Sequence, residues 1–263
     1  MDPHEFDLMI TRARDPRLVP GIYNYCDGRC ARCAFTDRCL VFVENNGEAA
    51  GRRGGETAVD AVDASLERTI EMLTEIARRE GVDLSVVAGD GAAAEPTVTL
   101  EHEGDPLIVR AREYSTIAWR VSRALAPVVA VRGDRVAIDA VETIEWFSSR
   151  IAAKLYRAVC GQADAWQADA DVQTDHDGSA KSALLGIRES RAAWATLMEA
   201  GKATADGVPA LAAQVLDSLD AAIRERFPLA EAFVRPGFDE PDIAAGAPAT
   251  LPPWARRPRG SVS

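Results

Sequence analysis

Four of the five cysteines in this chain of 263 residues lie within fourteen residues, at Cys26, Cys30, Cys33 and Cys39. This crowding constrains the fold strongly, because clustered thiols serve as metal ligands, redox groups or disulfides. The first residues lack a basic segment followed by an apolar one, which indicates a cytoplasmic protein. In a reducing cytoplasm metal binding is favoured over structural disulfides, so the sequence predicts a metal site.

The spacing of the cysteines, C-x3-C-x2-C-x5-C, is compatible with one compact centre. If residues 26–33 formed a helix, Cys26, Cys30 and Cys33 would share one face, and Cys39 would return from the following loop as the fourth ligand. Thiolates suit both zinc and iron-sulfur clusters, so the ligand type does not decide between them. Zinc fits less well, because its ligands usually form two C-x2-C pairs separated by a longer segment.

The segment RCARCAFTDRC resembles the C-x2-C-x5-C portion of the 4Fe-4S loop of endonuclease III-type DNA glycosylases and the similar portion of RecB-type exonuclease modules. The first spacing is shorter here than in the glycosylases. The resemblance implies that Cys26, Cys30, Cys33 and Cys39 ligate one 4Fe-4S cluster with a structural or electron-transfer role. It covers about fifteen residues and brings no DNA chemistry, because the catalytic motifs of those families are absent.

Two further resemblances carry no activity. The first three cysteines also match the triplet of radical S-adenosylmethionine enzymes, but Arg32 stands where those enzymes usually carry an aromatic residue, and no strand and helix units alternate, so we set this match aside. The whole chain also resembles bacterial helical proteins of unassigned function with a cysteine-rich N-terminal loop and a similar YNYC start to the cysteine segment.

Charged and aromatic residues surround the cysteines. Arg29, Arg32 and Arg38 could donate hydrogen bonds to cluster sulfurs or contact a phosphate, or they could be solvated charges paired with Asp27 and Asp37. Aromatic side chains are expected to cover the centre and to dock the cysteine segment on the helical domain, because they give a small module much buried area. These aromatic residues are Tyr23, Tyr25, Phe35 and Phe42.

Apolar residues at helical spacing follow a breaker-rich linker over 44–56 and predict an all-α, antiparallel bundle of about five helices. The first three predicted helices cover 57–81, 106–125 and 135–159, with Pro127 stopping the second and Gly161 ending the third. Arg132-Gly133-Asp134 is a short turn between antiparallel helices. The predicted apolar positions are Val59, Val62, Leu66, Ile70, Leu73, Ile76, Ile117, Val121, Leu125, Val141, Ile144, Phe147 or Ser148, Ile151, Leu155 and Ala158.

The fourth predicted helix is capped by Gly178-Ser179, and the fifth begins near Pro209 and runs to about Phe227. Their predicted apolar positions are Leu184, Ile187, Trp194, Leu197, Leu211, Val215, Leu219 and Ile223. The chain therefore divides into a cysteine-rich metal-binding module over 1–45, a helical bundle over 57–235 and a disordered tail rich in Pro and Gly over 239–263.

Charge and hydropathy limit the function classes. A net charge of -11 opposes general attraction to phosphate backbones, and no run of apolar residues is long enough for a membrane span. The expected partner is therefore a protein or a small molecule, with nucleic acid contacted only locally, through the arginines of the cysteine loop. The alternative to the iron-sulfur interpretation is a structural zinc module on a bundle that is an enzyme or a nucleic-acid-associated accessory protein.

Three secondary candidates were weighed. Carboxylates on the predicted helices are interpreted as solvated charges rather than a di-metal site, because no histidine lies three residues after a glutamate. The DHDGSAK segment over 175–181 is interpreted as a helix cap rather than an anion site, since two aspartates already occupy the positive end. Cys160 stands alone and is interpreted as a packing residue. Whether the bundle is an enzyme stays open.

Overall fold

The computed structural model describes residues 2–44, 58–84, 102–163, 173–199 and 207–240, which form helices and connecting turns without a β-strand. The all-α prediction is confirmed for this part of the chain. No helix within these ranges has the length and apolarity needed to pass through a membrane. The longer α-helices are α1 (Pro3–Ala13), α2 (Ala58–Glu80), α3 (Pro106–Arg132), α4 (Arg135–Ala163), α5 (Asp175–Glu199) and α6 (Val208–Arg226).

Helices α3 to α6 pack together in one bundle, in which α4 contacts both α3 and α5. Apolar side chains recur every three or four residues along α4, which places them on one face of the helix. Burying a Leu, Ile, Val or Phe side chain fully contributes about 1.5–3 kcal/mol, so this face stabilises the bundle. The α4 positions predicted to be buried are confirmed: Val141, Ile144, Phe147, Ser148, Ile151, Leu155 and Ala158.

The short turn predicted between the second and third helices joins α3 to α4. Gly133 has φ 65°, in the left-handed region that glycine occupies without steric cost. The Asp134 carboxylate accepts a 3.1 Å hydrogen bond from the Ala137 amide and caps the first turn of α4. Because the connection is so short, α3 and α4 run antiparallel and pack against each other.

Pro127 does not stop α3, contrary to the prediction. The helix continues to Arg132 with Pro127 inside it. An internal proline removes one backbone hydrogen bond and costs about 3 kcal/mol. Leu125 and Val129 on either side are buried in the bundle, and this burial offsets the cost of the proline.

Gly161 does not end α4, which runs on to Ala163. A glycine ends a helix when it takes a positive φ, and Gly161 does not. A Cβ added at Gly161 would lie 3.5 Å from the Cβ of His176, so this glycine packs against the first turn of α5.

The start of α5 also differs from the prediction, because Gly178 and Ser179 are buried inside the helix rather than capping it. The helix begins at Asp175, and Thr174 provides the capping hydroxyl. Thr174 Oγ1 accepts a hydrogen bond from the Asp177 amide at 3.3 Å and donates one to Asp177 Oδ2 at 2.6 Å. The capping residue thus lies just before the segment 175–181 that was predicted to cap the helix.

Helix α6 begins with Pro209 in its first turn, as predicted, and Val215, Leu219 and Ile223 are buried. Leu211 was wrongly predicted to be buried, since 46% of its surface is exposed. With about 100° of rotation per residue, Leu211 falls at the margin of the buried face. Leu216 is fully buried instead.

Helix α2 forms as predicted but packs against α1. Its apolar stripe was expected to be buried, yet Leu66, Ile70 and Leu73 are 57%, 63% and 52% exposed. Among the described residues, α1 covers only the C-terminal part of α2, where Glu75 and Ala77 are buried. The expectation of a buried stripe is therefore wrong for the part of the chain that the structure describes.

An ion pair between Arg79 and Asp7 joins α2 to α1, and Glu75 holds Arg79 from within α2. Glu75 accepts hydrogen bonds from Arg78 and Arg79, and Arg79 also donates to Asp7 of α1 at 2.6 Å. The Arg79 guanidinium lies over the ring of Phe6, 4.3 Å from its centroid. The hydrogen bonds from Arg78 and Arg79 lower the pKa of Glu75 to about 2.

Most of the predicted linker over 44–56 and most of the predicted tail over 239–263 lie outside the described residues. The predicted start of the tail, at residue 239, is described. Asp239 accepts hydrogen bonds from Arg235 and forms an ion pair with Lys181 of α5 at 2.8 Å. The division into a module over 1–45, a bundle over 57–235 and a tail over 239–263 stays a prediction.

Candidate metal centre

The cysteine loop, residues 22–39, consists of short turns and not of an α-helix. The 3₁₀ turns Cys30–Arg32 and Thr36–Arg38 carry its middle and end. Gly28 has φ 72°, and Asp27 Oδ1 accepts a 2.9 Å hydrogen bond from the Arg29 amide. A left-handed residue and a side chain that bonds the local backbone both interrupt a right-handed helix. Residues 26–33 therefore do not form the helix that would have placed three thiols on one face.

The structure places the four loop cysteines in different surroundings. Cys26 and Cys33 line one cavity, and Cys39 packs beside Val19 and Ile22. Cys30 is exposed. All four are free thiols, and no three His, Cys, Asp or Glu side chains among the described residues form a group that could hold a metal ion.

Two of these sulfurs make hydrogen bonds with the backbone of the loop. The Phe35 amide donates to Cys33 Sγ at 3.4 Å. Cys26 Sγ donates to the carbonyl oxygen of Tyr23 at 3.5 Å. These hydrogen bonds hold both sulfurs, the atoms through which cysteine binds metal, against the backbone of the loop.

Side chains of α4 and α5 hold the backbone on both sides of Cys26. Lys154 donates to the carbonyl oxygen of Asn24. Ser182 donates to the carbonyl oxygen of Tyr25 at 3.3 Å, and Trp146 Nε1 donates to that of Asp27 at 2.8 Å. Three donors from two helices thus fix the start of the loop on the bundle.

Tyr25 anchors the loop, as predicted for the aromatic residues. Its ring is buried, with its centroid 4.7 Å from that of Phe233. Its hydroxyl donates to Asp175 Oδ1 at 2.8 Å, and Arg157 donates to both oxygens of the same carboxylate. Burial, and then the hydrogen bond to Asp175, raise the pKa of Tyr25 far above its usual range.

The other flanking aromatics differ in their roles. Phe35 packs edge-on against Phe238, with 5.2 Å between the ring centroids. Tyr23 is 41% exposed and Phe42 is half-buried. Tyr25 and Phe35 are therefore the aromatic residues that dock the loop on its surroundings.

One face of α4 contributes more to the site than the sequence analysis recognised. Trp146, Arg150, Lys154 and Arg157 follow one another at helical spacing and all contact the loop or its anchors. The Arg150 guanidinium lies over Trp146 and so close to Gly28 that a Cβ added there would be 2.5 Å from Arg150 Nη2. The sequence signal was this polar, basic face of a helix whose other face is apolar.

Lys154 is a half-buried cation of this face. Burial, and then the positive charges of Arg157 and Arg150, lower the pKa of its ammonium. Its hydrogen bond to the carbonyl oxygen of Asn24 compensates part of the desolvation.

The arginines of the loop do not pair with Asp27 or Asp37 as one interpretation proposed. Arg29 stacks on the ring of Phe147, 5.2 Å from its centroid. Arg32 forms an ion pair with Asp139 of α4 at 3.2 Å. Arg38 Nε donates to the carbonyl oxygen of Arg17 at 3.2 Å. These contacts tie the loop to its surroundings.

A cavity of about 410 Å³ lies between the loop and α5. Its lining includes Cys26, Cys33 and Arg29 from the loop, Phe147 from α4, and Glu189 from α5. Gly186 of α5 also lines the cavity. It lies so close to Phe147 that a Cβ added to it would be 2.9 Å from the ring. The loop and the bundle together therefore border an open cleft large enough for a small molecule.

The secondary candidates contribute no site. The helix carboxylates that were weighed are exposed: Glu67, Glu71, Glu113, Glu142 and Glu145. Asp175 and Asp177 are used by Arg157, Tyr25 and Thr174, and Cys160 is half-buried near the end of α4.

Comparison with known proteins finds no relative. No protein-family model matches the chain, and no curated protein and no solved structure matches it either. The function must therefore be argued from the geometry of the loop and its cavity.

Proposed function

We propose that Cys26, Cys30, Cys33 and Cys39 together bind one metal centre, a 4Fe-4S cluster that secures the loop or transfers electrons. The observation that carries the proposal is the hydrogen bond from the Phe35 amide to Cys33 Sγ, at 3.4 Å. Amides that donate to cysteine sulfur stabilise the negative charge of a metal thiolate and tune the reduction potential of iron-sulfur clusters.

The attachment of the loop supports the same function. The hydrogen bonds from Lys154, Ser182 and Trp146 position the backbone around Cys26 before any metal binds. A ligand held in this way loses less conformational entropy on metal binding than a ligand in a mobile chain. Cys26 is therefore the ligand around which the other three assemble.

Metal binding on this proposal includes a movement of the loop. Cys30 is exposed and Cys39 packs in a separate apolar cluster, so the turns Cys30–Arg32 and Thr36–Arg38 shift to bring both thiolates to the centre. Thiolate sites commonly form together with the local fold, because the metal supplies part of the folding free energy.

We infer a reducing compartment, the cytoplasm, from the chemistry of the thiols. All five cysteines are free and Cys30 is exposed, and free thiols are typical of compartments in which disulfides are kept reduced. The same compartment supplies both iron-sulfur clusters and zinc, so the identity of the bound metal has to be measured.

The test is anaerobic purification, followed by a visible absorption spectrum and counts of iron, sulfide and zinc. Wild type is expected to be brown, with about four irons and four sulfides per chain. Cys33→Ser is expected to lose the colour and the iron. Cys160→Ser is the matched control, because this cysteine lies on α4 outside the loop, and it is expected to keep both.

Two results contradict the proposal in different ways. A colourless protein with one zinc, lost in Cys33→Ser, excludes the iron-sulfur cluster and makes the loop a structural zinc module. A protein with neither metal at stoichiometric level excludes the four-cysteine site itself. Circular dichroism of Cys33→Ser establishes that the helices still form, so that metal loss is not mistaken for unfolding.

A further inference from the structure

The cavity between the cysteine loop and α5 has two chemically different walls. The loop side carries the cations Arg29 and Arg32 and the anion Asp27, and the α5 side carries the anion Glu189, an exposed residue. Phe147 and Phe238 add apolar surface to the lining. At about 410 Å³ the cavity falls within the range of about 300–1,000 Å³ that is typical of small-molecule sites.

Most charged groups in this cavity already have partners. Arg235 donates to Asp239 through Nε and Nη2, and the Asp27 carboxylate accepts from the Arg29 amide. Arg32 pairs with Asp139 at the surface, where both side chains are more than half exposed and the interaction is weak.

Arg29 and Glu189 differ from these groups. Within the described ranges neither side chain forms an ion pair, although both line the same cavity. The Arg29 guanidinium lies over the ring of Phe147, 5.2 Å from its centroid, and a guanidinium can still donate hydrogen bonds to a carboxylate from such a position. A cation and an anion without ion-pair partners among the described residues, in one lining together with apolar surface, match a ligand that carries both charges.

We propose that this cavity binds a small zwitterion of the amino-acid type, with its carboxylate on Arg29 and its ammonium group on Glu189. The apolar part of the ligand packs against Phe147 and Phe238. The proposal goes beyond the metal site, because the residues that recognise the ligand are not the cysteines, although Cys26 and Cys33 also line the cavity.

The experiment is isothermal titration calorimetry of the full chain with L-phenylalanine and its two singly charged analogues. L-Phenylalanine is expected to bind saturably. 3-Phenylpropionate, which lacks the ammonium group, and 2-phenylethylamine, which lacks the carboxylate, are each expected to bind about tenfold or more weakly, because each forfeits one charge-assisted interaction. L-Leucine and L-glutamine are titrated in parallel to test other side chains.

Two variants test which residue binds the carboxylate of the ligand and which binds its ammonium group. Arg29→Ala is expected to weaken L-phenylalanine and 3-phenylpropionate by about tenfold or more and to leave 2-phenylethylamine unchanged. Glu189→Gln is expected to do the reverse, weakening L-phenylalanine and 2-phenylethylamine. Arg123→Ala is the matched control, since Arg123 also stacks on an aromatic ring, that of Trp119, but on α3, which does not line the cavity.

The outcomes are separable from those of the metal test. Absence of saturable binding by all three amino acids overturns the proposal, as does wild-type affinity in both cavity variants. 3-Phenylpropionate binding as tightly as L-phenylalanine also overturns it, because the cavity would then be an anion site. If Arg29→Ala unfolds, Arg29→Lys keeps the charge but not the planar fork and is expected to show an intermediate loss. Metal content is counted in the same samples.

Discussion

The ring of Tyr25 lies directly against Gly178 of α5, so closely that a Cβ added to this glycine would be 2.4 Å from Tyr25 Cε1. Gly178 therefore sets the distance at which the cysteine loop docks on the bundle. A glycine inside a helix costs about 1 kcal/mol relative to alanine, and here it leaves room for the residue that precedes the first cysteine.

Gly178→Ala is expected to destabilise the protein by about 1–3 kcal/mol, because overpacking at Tyr25 and Phe233 outweighs the better helix propensity of alanine. Urea unfolding measures the change. Gly161→Ala is the matched control on α4, where the nearest atom would lie at 3.5 Å, and it is expected to be neutral or slightly stabilising. Equal stability of the two variants would contradict the docking distance inferred for Tyr25.

Tyr25→Phe is expected to lower the free energy of unfolding by about 1.5–3 kcal/mol, because the hydroxyl that donates to the Asp175 carboxylate is lost from a partly buried site. Arg157 still pairs with Asp175, so the carboxylate keeps a partner. Tyr23→Phe, at an exposed ring, is the control and should change stability by less than about 0.5 kcal/mol. A Tyr25→Phe variant as stable as wild type would refute this anchoring role.

Pro127→Ala is expected to stabilise the protein by about 1–3 kcal/mol, because alanine restores an internal hydrogen bond of α3 and removes the steric conflict of the ring. Thermal unfolding should show a higher Tm. Pro106→Ala is the comparison, since Pro106 is in the first turn of the same helix, where proline is favoured, and this change should give no gain. If both variants behaved alike, the α3 backbone would not pass through Pro127 as a continuous helix.

Acid is expected to loosen α1 from α2. The pKa of Glu75 is lowered from 4.5 to about 2 by Arg78 and Arg79, so its contribution to stability is complete above pH 4.5 and is lost as the pH falls through 2. Hydrogen exchange of α1 and α2 amides, compared with Glu75→Gln at each pH, measures this loss. The variant should exchange faster than wild type at pH 5 and equally fast near pH 2. A constant difference across that range would exclude Glu75 as the titrating group.

Periodicity predicted the helices best where one face packs on a single large neighbour. The α4 positions from Val141 to Ala158 were predicted correctly because an apolar stripe on a long helix leaves one choice of buried face. The same rule placed Leu66, Ile70 and Leu73 on one face of α2, but it could not reveal that α1 covers only the end of that helix. A stripe indicates which side is apolar and not which partner covers it.

Glycine and proline were the least reliable indicators of where a helix ends. Gly133 lies in the turn between α3 and α4 as predicted, whereas Pro127 and Gly161 were expected to end helices and lie inside them. The difference is tertiary. Packing of Leu125 and Val129 compensates the proline, and Gly161 packs against His176 of α5 without the positive φ that ends a helix.

In the cysteine loop too, the sequence predicted some features and could not predict others. Spacing identified four thiols as one candidate site, because residues so close in sequence remain close in any fold. Spacing could not show that Gly28 breaks the helix, that Trp146, Lys154 and Ser182 hold the backbone beside Cys26, or that Arg29 and Glu189 face one cavity. These contacts join residues that lie more than a hundred positions apart in the chain.

Local patterns were thus sufficient for the helical class, the short turn at Gly133 and the choice of the cysteines as the candidate site, since all three depend on neighbours within about seven residues. Tertiary packing alone decided where α3, α4 and α5 begin or end, which residues anchor the loop, and that a cavity exists between the loop and α5. The physical reason is that such features depend on which distant surfaces meet, and contacts between distant surfaces leave no period in the sequence.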